Sequence, residues 1–130
     1  WAAALKDWVW GAPAVLDTTL YAADISGNLY ALAVSDGSNA WPQLKPDGPV
    51  TGDPLAIPNG VAVAAESGFL YAFKSDGSTL WPPVNLGGKI YTSPVLAGDR
   101  ILVAPVGAEY WLYAVNSKDG SVLPWHFNNK

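Results

Sequence analysis

Residues 29–41 read LYALAVSDGSNAW, and the chain repeats this stretch twice. Residues 70–81 read LYAFKSDGSTLW, and residues 112–125 read LYAVNSKDGSVLPW. A proline opens each unit, 41 and then 40 residues apart: Pro13, Pro54 and Pro94. A fixed period of about 40 residues is typical of stacked supersecondary units. We therefore predict three repeats, which cover approximately residues 9–41, 50–81 and 90–125.

Each unit contains short apolar segments separated by turns rich in Gly, Asp, Asn and Ser, the residues that hairpin turns prefer. Gly and Pro interrupt every window long enough for a helix. Residues 29–34 and 61–65 are nearly continuous apolar runs, which is typical of strands buried on both faces. Four-stranded antiparallel units with two buried faces and this period are β-propeller blades. The predicted fold class is therefore all-β, with about three propeller blades.

The composition favours a folded domain and narrows the classes of partner. Of the 130 residues, 50% are hydrophobic and 14% are charged, the net charge is −4, and cysteine is absent. The seven basic residues are scattered, so we predict neither a nucleic-acid surface nor an anionic-membrane surface. No apolar run approaches the roughly 20 residues of a membrane span. Because Trp1 is not preceded by a targeting sequence, we interpret the chain as a mature or excised piece.

The repeat resembles the pyrroloquinoline-quinone-type propeller repeat of quinoprotein dehydrogenases. Non-catalytic envelope proteins also carry this repeat, among them the propeller lipoprotein of the outer-membrane β-barrel assembly machinery. The family's tryptophan-docking motif reads Ala-x-Asp-x-x-Thr-Gly-x-x-x-Trp. It is matched at full spacing in unit 1, with one residue missing in unit 2, and with one added in unit 3. The matching positions are Ala31, Gly37 and Trp41, then Ala72, Gly77 and Trp81, then Ala114, Gly120 and Trp125.

The resemblance implies that each of these tryptophans packs over the Ala and Gly of an adjacent blade. The motif's Asp is replaced by Ala33, Lys74 and Asn116, and its Thr by Asp36, Asp76 and Asp119. We therefore expect the docking geometry of the family without the hydrogen bonds of its stricter motif.

Two sets of residues are candidate partner contacts. Trp10 and Tyr91 share a position three residues before their prolines with Thr51, where the resembled fold has its central channel and rim. The third unit has an enlarged second turn with Glu109, Tyr110 and Trp111. Insertions in repeat proteins often lie on a binding face, and Tyr and Trp are favoured interface anchors. A self-packed hairpin is the alternative for this turn.

Other polar residues do not form a coherent reaction centre. The segment from Asp24 to Asn28 faintly resembles the start of a calcium loop, but it lacks a closing carboxylate. We interpret Asp24, Glu66 and Glu109 as solvated loop charges, and His126, the only histidine, as solvent-facing. No catalytic, cofactor-binding or metal-binding residue is predicted.

The sequence thus predicts a non-enzymatic binding module that presents loops to a protein, peptide or glycan, without a cofactor. By resemblance it belongs in the bacterial periplasm or on the cell surface. The alternatives are a fragment of a quinoprotein dehydrogenase, or a sensor or adhesive part of a larger envelope protein. Propellers typically have about four to eight blades. We therefore expect these blades to join further blades of a parent chain, or copies of the same chain.

Overall fold

The computed structural model describes residues 1–128 of the chain and the side chains as far as Pro124. Its strands form three four-stranded sheets, and within each sheet the strands pair antiparallel in the order of the sequence. The strands are β1 (Ala14–Leu16), β2 (Thr19–Ala23), β3 (Leu29–Ala33), β4 (Asn39–Leu44), β5 (Leu55–Ile57), β6 (Gly60–Ala64), β7 (Phe69–Lys74), β8 (Thr79–Asn85), β9 (Val95–Ala97), β10 (Arg100–Val103), β11 (Tyr110–Asn116) and β12 (Val122–Asn128). The all-β propeller-blade prediction is confirmed.

The three sheets, here called units 1, 2 and 3, stack through apolar side chains. In the unit 1–unit 2 core, Tyr21 and Ala23 of β2 pack with Val61 and Val63 of β6. The other face of β6, with Ala62 and Ala64, packs with unit 3 in a second core. Every residue of β6 is buried, as the continuous apolar run predicted. Burial of each Val or Leu side chain contributes about 1.5–3 kcal/mol, so these faces hold the units together.

The inner edges of the units meet through the short first strands, where β1 contacts β5 and β5 contacts β9. Hydrogen bonds one repeat apart fix this edge. The amide of Ala12 donates to Asp53 Oδ1 at 2.6 Å, and the amide of Asp53 donates to Ser93 Oγ at 2.8 Å. These bonds hold the segments before the prolines in one register.

The outer strands run further than the sequence suggested. β4 continues past Trp41 and Pro42 to Leu44, and β8 continues past Trp81 through Pro82 and Pro83 to Asn85. These are edge strands of their own sheets, where proline is tolerated because one side of the strand makes no ladder bonds. None of the described residues forms a helix long and apolar enough to span a bilayer.

Candidate interaction surface

The linkers and turns that contain the predicted contact residues lie at one end of the stacked units. We call it the linker end; it comprises linkers 5–12, 45–53 and 86–93 and turns 24–28, 65–68 and 104–109. Each linker bonds to the turn of the unit that it enters. Ile25 N donates to Trp8 O at 3.0 Å, Glu66 N donates to Pro49 O at 2.8 Å, and Lys89 and Val106 exchange two backbone bonds. The linker end is therefore a hydrogen-bonded surface rather than a set of free loops.

Three aromatic side chains are exposed on the linkers of this end. Trp8 is 74% exposed, Trp10 71% and Tyr91 43%. We call these three residues the aromatic rim. The sequence predicted Trp10 and Tyr91 as candidates but missed Trp8, because its counterparts in the other units are Pro49 and Lys89. The signal that could have found Trp8 is the uninterrupted run Trp8, Val9, Trp10.

A polar pair lies beside Tyr91 on the same end. Lys89 Nζ is 3.3 Å from Glu66 Oε1. The hydrogen bond with Glu66 and the nearby Tyr91 hydroxyl raise the pKa of Lys89, so the ammonium form is favoured. Glu66 therefore forms an ion pair with Lys89, whereas the sequence led us to interpret it as a solvated loop charge.

The enlarged turn of unit 3 is only partly a loop. Its last two residues, Tyr110 and Trp111, already belong to β11, so the turn is shorter than the sequence indicated. Glu109 and Trp111 are exposed. Tyr110 is half-buried and packs edge-on against Tyr113, with ring centroids 5.5 Å apart, and Glu109 raises the pKa of its hydroxyl. Among these candidates, Tyr110 has a packing role, while Glu109 and Trp111 face solvent.

Asp24 is fully buried, so its interpretation as a solvated charge is wrong. Its carboxylate accepts hydrogen bonds from the Tyr30 hydroxyl at 2.7 Å, from Ser26 N at 3.0 Å, and from the backbone and side chain of Asn28. Burial alone would raise the pKa of Asp24, but these donors outweigh it and lower the pKa below its usual value. Ala65 and Pro105 occupy the corresponding positions of units 2 and 3, so the cluster is particular to unit 1.

Metal binding finds no support in the part of the chain that the structure describes. Among the side chains of residues 1–124, which the structure describes, no group of three His, Cys, Asp or Glu side chains is close enough to hold an ion. His126 and Trp125 lie outside the residues whose side chains are described.

Three indole rings lie over glycines of the unit that follows them. A Cβ added at Gly37 would lie 2.3 Å from Trp1, one at Gly77 would lie 3.0 Å from Trp41, and one at Gly120 would lie 2.7 Å from Trp81. The three motif alanines are buried: Ala31, Ala72 and Ala114. Trp1 thus stands on unit 1 in the position that Trp41 takes on unit 2.

Whether an indole N–H has a hydrogen-bond partner depends on the length of the turn beneath its ring. Trp1 Nε1 donates to Val34 O at 2.8 Å, and Trp81 Nε1 donates to Ser117 O at 3.1 Å. Each acceptor lies three residues before the covered glycine. In unit 2 that residue is Lys74, whose carbonyl accepts from Gly77 N instead, and Trp41 Nε1 is buried without a partner among the described residues. The residue missing from the unit 2 motif explains this difference.

Stacked four-stranded blades, with a tryptophan ring over a glycine of the next blade, define a β-propeller segment built of pyrroloquinoline-quinone-type repeats. The chain belongs to the family described as outer membrane protein assembly factor BamB, whose family model matches residues 1–81 and 46–130. The family resemblance predicted from the sequence is confirmed.

A curated relative from Yersinia pestis, the outer membrane protein assembly factor BamB, is 31% identical over 109 residues. This match covers 83% of the present chain and 26% of the relative. The chain therefore spans about a quarter of that relative's length.

Solved structures share the fold at lower identity. BamB from Moraxella catarrhalis matches with a TM-score of 0.75 and 21% identity, over 91% of this chain and 35% of that one. Quinohemoprotein alcohol dehydrogenase from Comamonas testosteroni matches with a TM-score of 0.78 and 20% identity, over 94% of this chain and 21% of that one. These likenesses show the fold alone.

Proposed function

We propose that this chain is a non-enzymatic scaffold that binds a protein partner through its linker end. The observation that carries the proposal is the aromatic rim, in which Trp8 and Trp10 expose most of their surface. Trp and Tyr are enriched among the residues that contribute most to protein interfaces. Exposed apolar side chains grouped on one surface are typical of binding sites.

The scaffold beneath the rim supports this proposal because it holds the aromatic residues in place. The carbonyl of Trp8 accepts a hydrogen bond from the amide of Ile25. Gly11, which follows Trp10, lies against the backbone of Gly52. The Thr51 hydroxyl donates to the carbonyl of Tyr91 at 3.0 Å. A rim ordered before binding loses less conformational entropy when a partner docks.

Membership of the family supports a role in the cell envelope. The family is named for the assembly of outer membrane proteins. We infer that the chain acts in the cell envelope, outside the cytoplasm, and that its partner is a protein of that assembly process.

A photo-crosslinking amino acid at position 10, in cells that produce the protein, tests the contact. We expect a discrete protein adduct from position 10. The matched control is position 34, because Val34 is also exposed and lies at the opposite end of the strands. Adducts of equal yield from both positions, or none from position 10, would contradict the proposal.

The non-enzymatic part has a separate test, because the quinoprotein dehydrogenase alternative predicts turnover. The protein is incubated with pyrroloquinoline quinone, calcium ions, a primary alcohol and an electron-accepting dye. We expect no dye reduction above the rate without protein. Protein-dependent reduction that requires the quinone would favour the dehydrogenase.

A further inference from the structure

The turn of unit 1 contains a buried carboxylate that the turn itself does not require. Ala65 takes the place of Asp24 in unit 2, and the backbone of that turn is bonded in the same way. Ala65 N donates to Phe69 O at 3.0 Å, as Asp24 N donates to Asn28 O at 3.0 Å. The partners of Asp24 among the described residues are uncharged, and burying a charge without a cation costs free energy. We therefore look for the role of Asp24 outside the turn.

A chain of hydrogen bonds runs from Asp24 to the linker before unit 1. Asp24 Oδ2 accepts from the Tyr30 hydroxyl at 2.7 Å, and the oxygen of that hydroxyl accepts from Lys6 N at 3.0 Å. Burial raises the pKa of Tyr30, so the hydroxyl keeps the proton that it donates. The carboxylate thus orients the hydroxyl group to which the linker is bonded.

The same carboxylate closes turn 24–28. Asp24 Oδ1 accepts from Ser26 N at 3.0 Å and from Asn28 N at 2.9 Å. The side chain of Asn28 donates to both carboxylate oxygens, at 3.0 and 2.8 Å, and its own oxygen accepts from the side-chain amide of Gln43 in β4. Asp24 therefore connects the turn to the outer strand of unit 1.

The closed turn in turn binds the linker on both sides of the Trp8 residue. Ile25 N donates to Trp8 O at 3.0 Å. The Ser26 hydroxyl donates to the carboxylate of Asp7, and the other oxygen of that carboxylate accepts from Trp8 N at 2.8 Å. Both backbone polar groups of Trp8 are thus held by contacts that depend on the turn.

The acidic residues of this network and the exposed tryptophans occur in the same unit. Asp7, like Asp24, has no acidic counterpart, because the other two linkers have glycine at its position. Trp8 corresponds to Pro49 and Lys89, and both of these residues are exposed as well. The exposure of Trp8 therefore follows from the path of the linker and not from the place of unit 1 in the stack.

We propose that Asp24 is a positioning residue for the aromatic rim. Its carboxylate fixes turn 24–28 and the Tyr30 hydroxyl, and these two groups hold the linker so that Trp8 is presented to the partner in one orientation. A linker ordered before binding loses less conformational entropy when the partner docks. This inference rests on the proposed function of the rim, to which it adds the residue that orders the binding surface.

The variant D24N tests the positioning role. An amide nearly retains the size of the carboxylate, but it presents an N–H group where the carboxylate accepts a bond from Tyr30 or Asn28. We expect the order parameter of the Trp8 amide, measured by nitrogen-15 relaxation, to fall from about 0.85 to below about 0.6. The yield of the adduct from the photo-crosslinker at position 10 should fall at least about threefold, because only the ordered fraction binds.

The matched control is V115A, which lowers stability without a change at the linker end. Val115 is fully buried in the core between units 2 and 3, so its truncation leaves a cavity there. Urea denaturation measures the stability of both variants. V115A should retain the order of Trp8 and the adduct yield of the unchanged protein.

An unchanged order parameter of Trp8 in D24N would overturn the proposal. Equal loss of adduct in D24N and V115A would also overturn it, as would loss of order without loss of adduct. If position 10 of the unchanged protein gives no adduct, the proposed function fails, while the relaxation data still decide whether Asp24 orders the linker.

The variant Y30F replaces D24N if D24N does not fold. It removes only the hydroxyl that joins Asp24 to Lys6. The order parameter of Trp8 and the adduct yield should both fall, by less than in D24N, because turn 24–28 remains closed. Unchanged order of Trp8 in Y30F would then overturn the proposal.

Discussion

Trp41 and Trp81 take the same position over a glycine, but only Trp81 has a hydrogen-bond partner for its indole N–H. W81F removes a satisfied bond, whereas W41F removes a buried donor that lacks a partner. We expect W81F to lower the free energy of unfolding by about 1–2 kcal/mol more than W41F. Urea denaturation measures both values, and equal losses would contradict the assigned bonding.

Asp24 gives a pH-dependent prediction. An unfolded Asp titrates near about pH 3.9, and the hydrogen bonds lower the pKa in the folded protein. The ionised carboxylate therefore stabilises the fold above about pH 4, and this contribution is lost as the pH falls through the folded-state pKa. D24N should cost about 2–4 kcal/mol at neutral pH, because an amide cannot accept all the bonds of a buried carboxylate.

The control for Asp24 is the exposed Asp99, for which D99N should change stability by less than about 0.5 kcal/mol. Unfolding measured from pH 7 to pH 2.5 should show a shallower acid loss for D24N than for the unchanged protein. If the free energy of unfolding fell equally with decreasing pH in D24N and in the unchanged protein, Asp24 would not be a source of the pH dependence.

Neither of these two residue features was predicted from the sequence, and only the first has a signal there. The shortened spacing between Ala72 and Gly77 is visible in the sequence, and it accounts for the orphan N–H of Trp41. The burial of Asp24 was not predictable in the same way. Its donors Ser26 and Asn28 look like ordinary turn residues, and Tyr30 looks like a repeat residue until the fold brings them together.

At the scale of the elements, the turn before β12 tests the contact between a ring and a glycine. Gly120 has φ +74° and would place a Cβ 2.7 Å from Trp81, while Gly98 has φ +63° and no atom within 4 Å. G98A should cost about 1 kcal/mol of backbone strain. G120A should cost about 3 kcal/mol, because it adds a clash with the ring.

Thermal and urea unfolding of these two variants provide the measurement. If G120A and G98A lowered the free energy of unfolding equally, the Trp81 ring would not be in close contact with the turn at Gly120. The docking role of the other motif residues, Ala31, Gly37, Ala72, Gly77 and Ala114, stays a prediction until they are substituted in the same way.

The strand elements were largely predictable, because their limits follow from turn chemistry. Strands β3 and β6 lie within one residue of the apolar runs 29–34 and 61–65 from which they were predicted. The ends of β4 and β8 were missed because proline usually ends a strand, and the sequence does not reveal which strand is the edge of its sheet. The start of β11 was missed because Tyr110 and Trp111 lie in an insertion that no other unit shares.

At the scale of the whole molecule, differences between the repeats locate the candidate surface. The motif alanines that the units share are buried, whereas Trp8 and Trp10 are exposed and no other unit has a tryptophan at either position. Trp10 was predicted because Tyr91 of unit 3 is an aromatic residue at the same position of the repeat. Trp8 was not predicted, because its exposure follows from the path of the linker over the turn at Ile25.

We propose that this scaffold acts in outer membrane protein assembly through the aromatic rim. The most direct measurement is the abundance of outer membrane proteins in cells whose own copy of the protein carries W8A/W10A. We predict a fall in abundance close to that caused by deleting the gene, with the variant present at its normal level. The matched control V34A/V122A changes two exposed apolar side chains at the opposite end of the strands and should leave the abundance unchanged. Normal abundance with W8A/W10A, or an equal fall with the control, would contradict the claim.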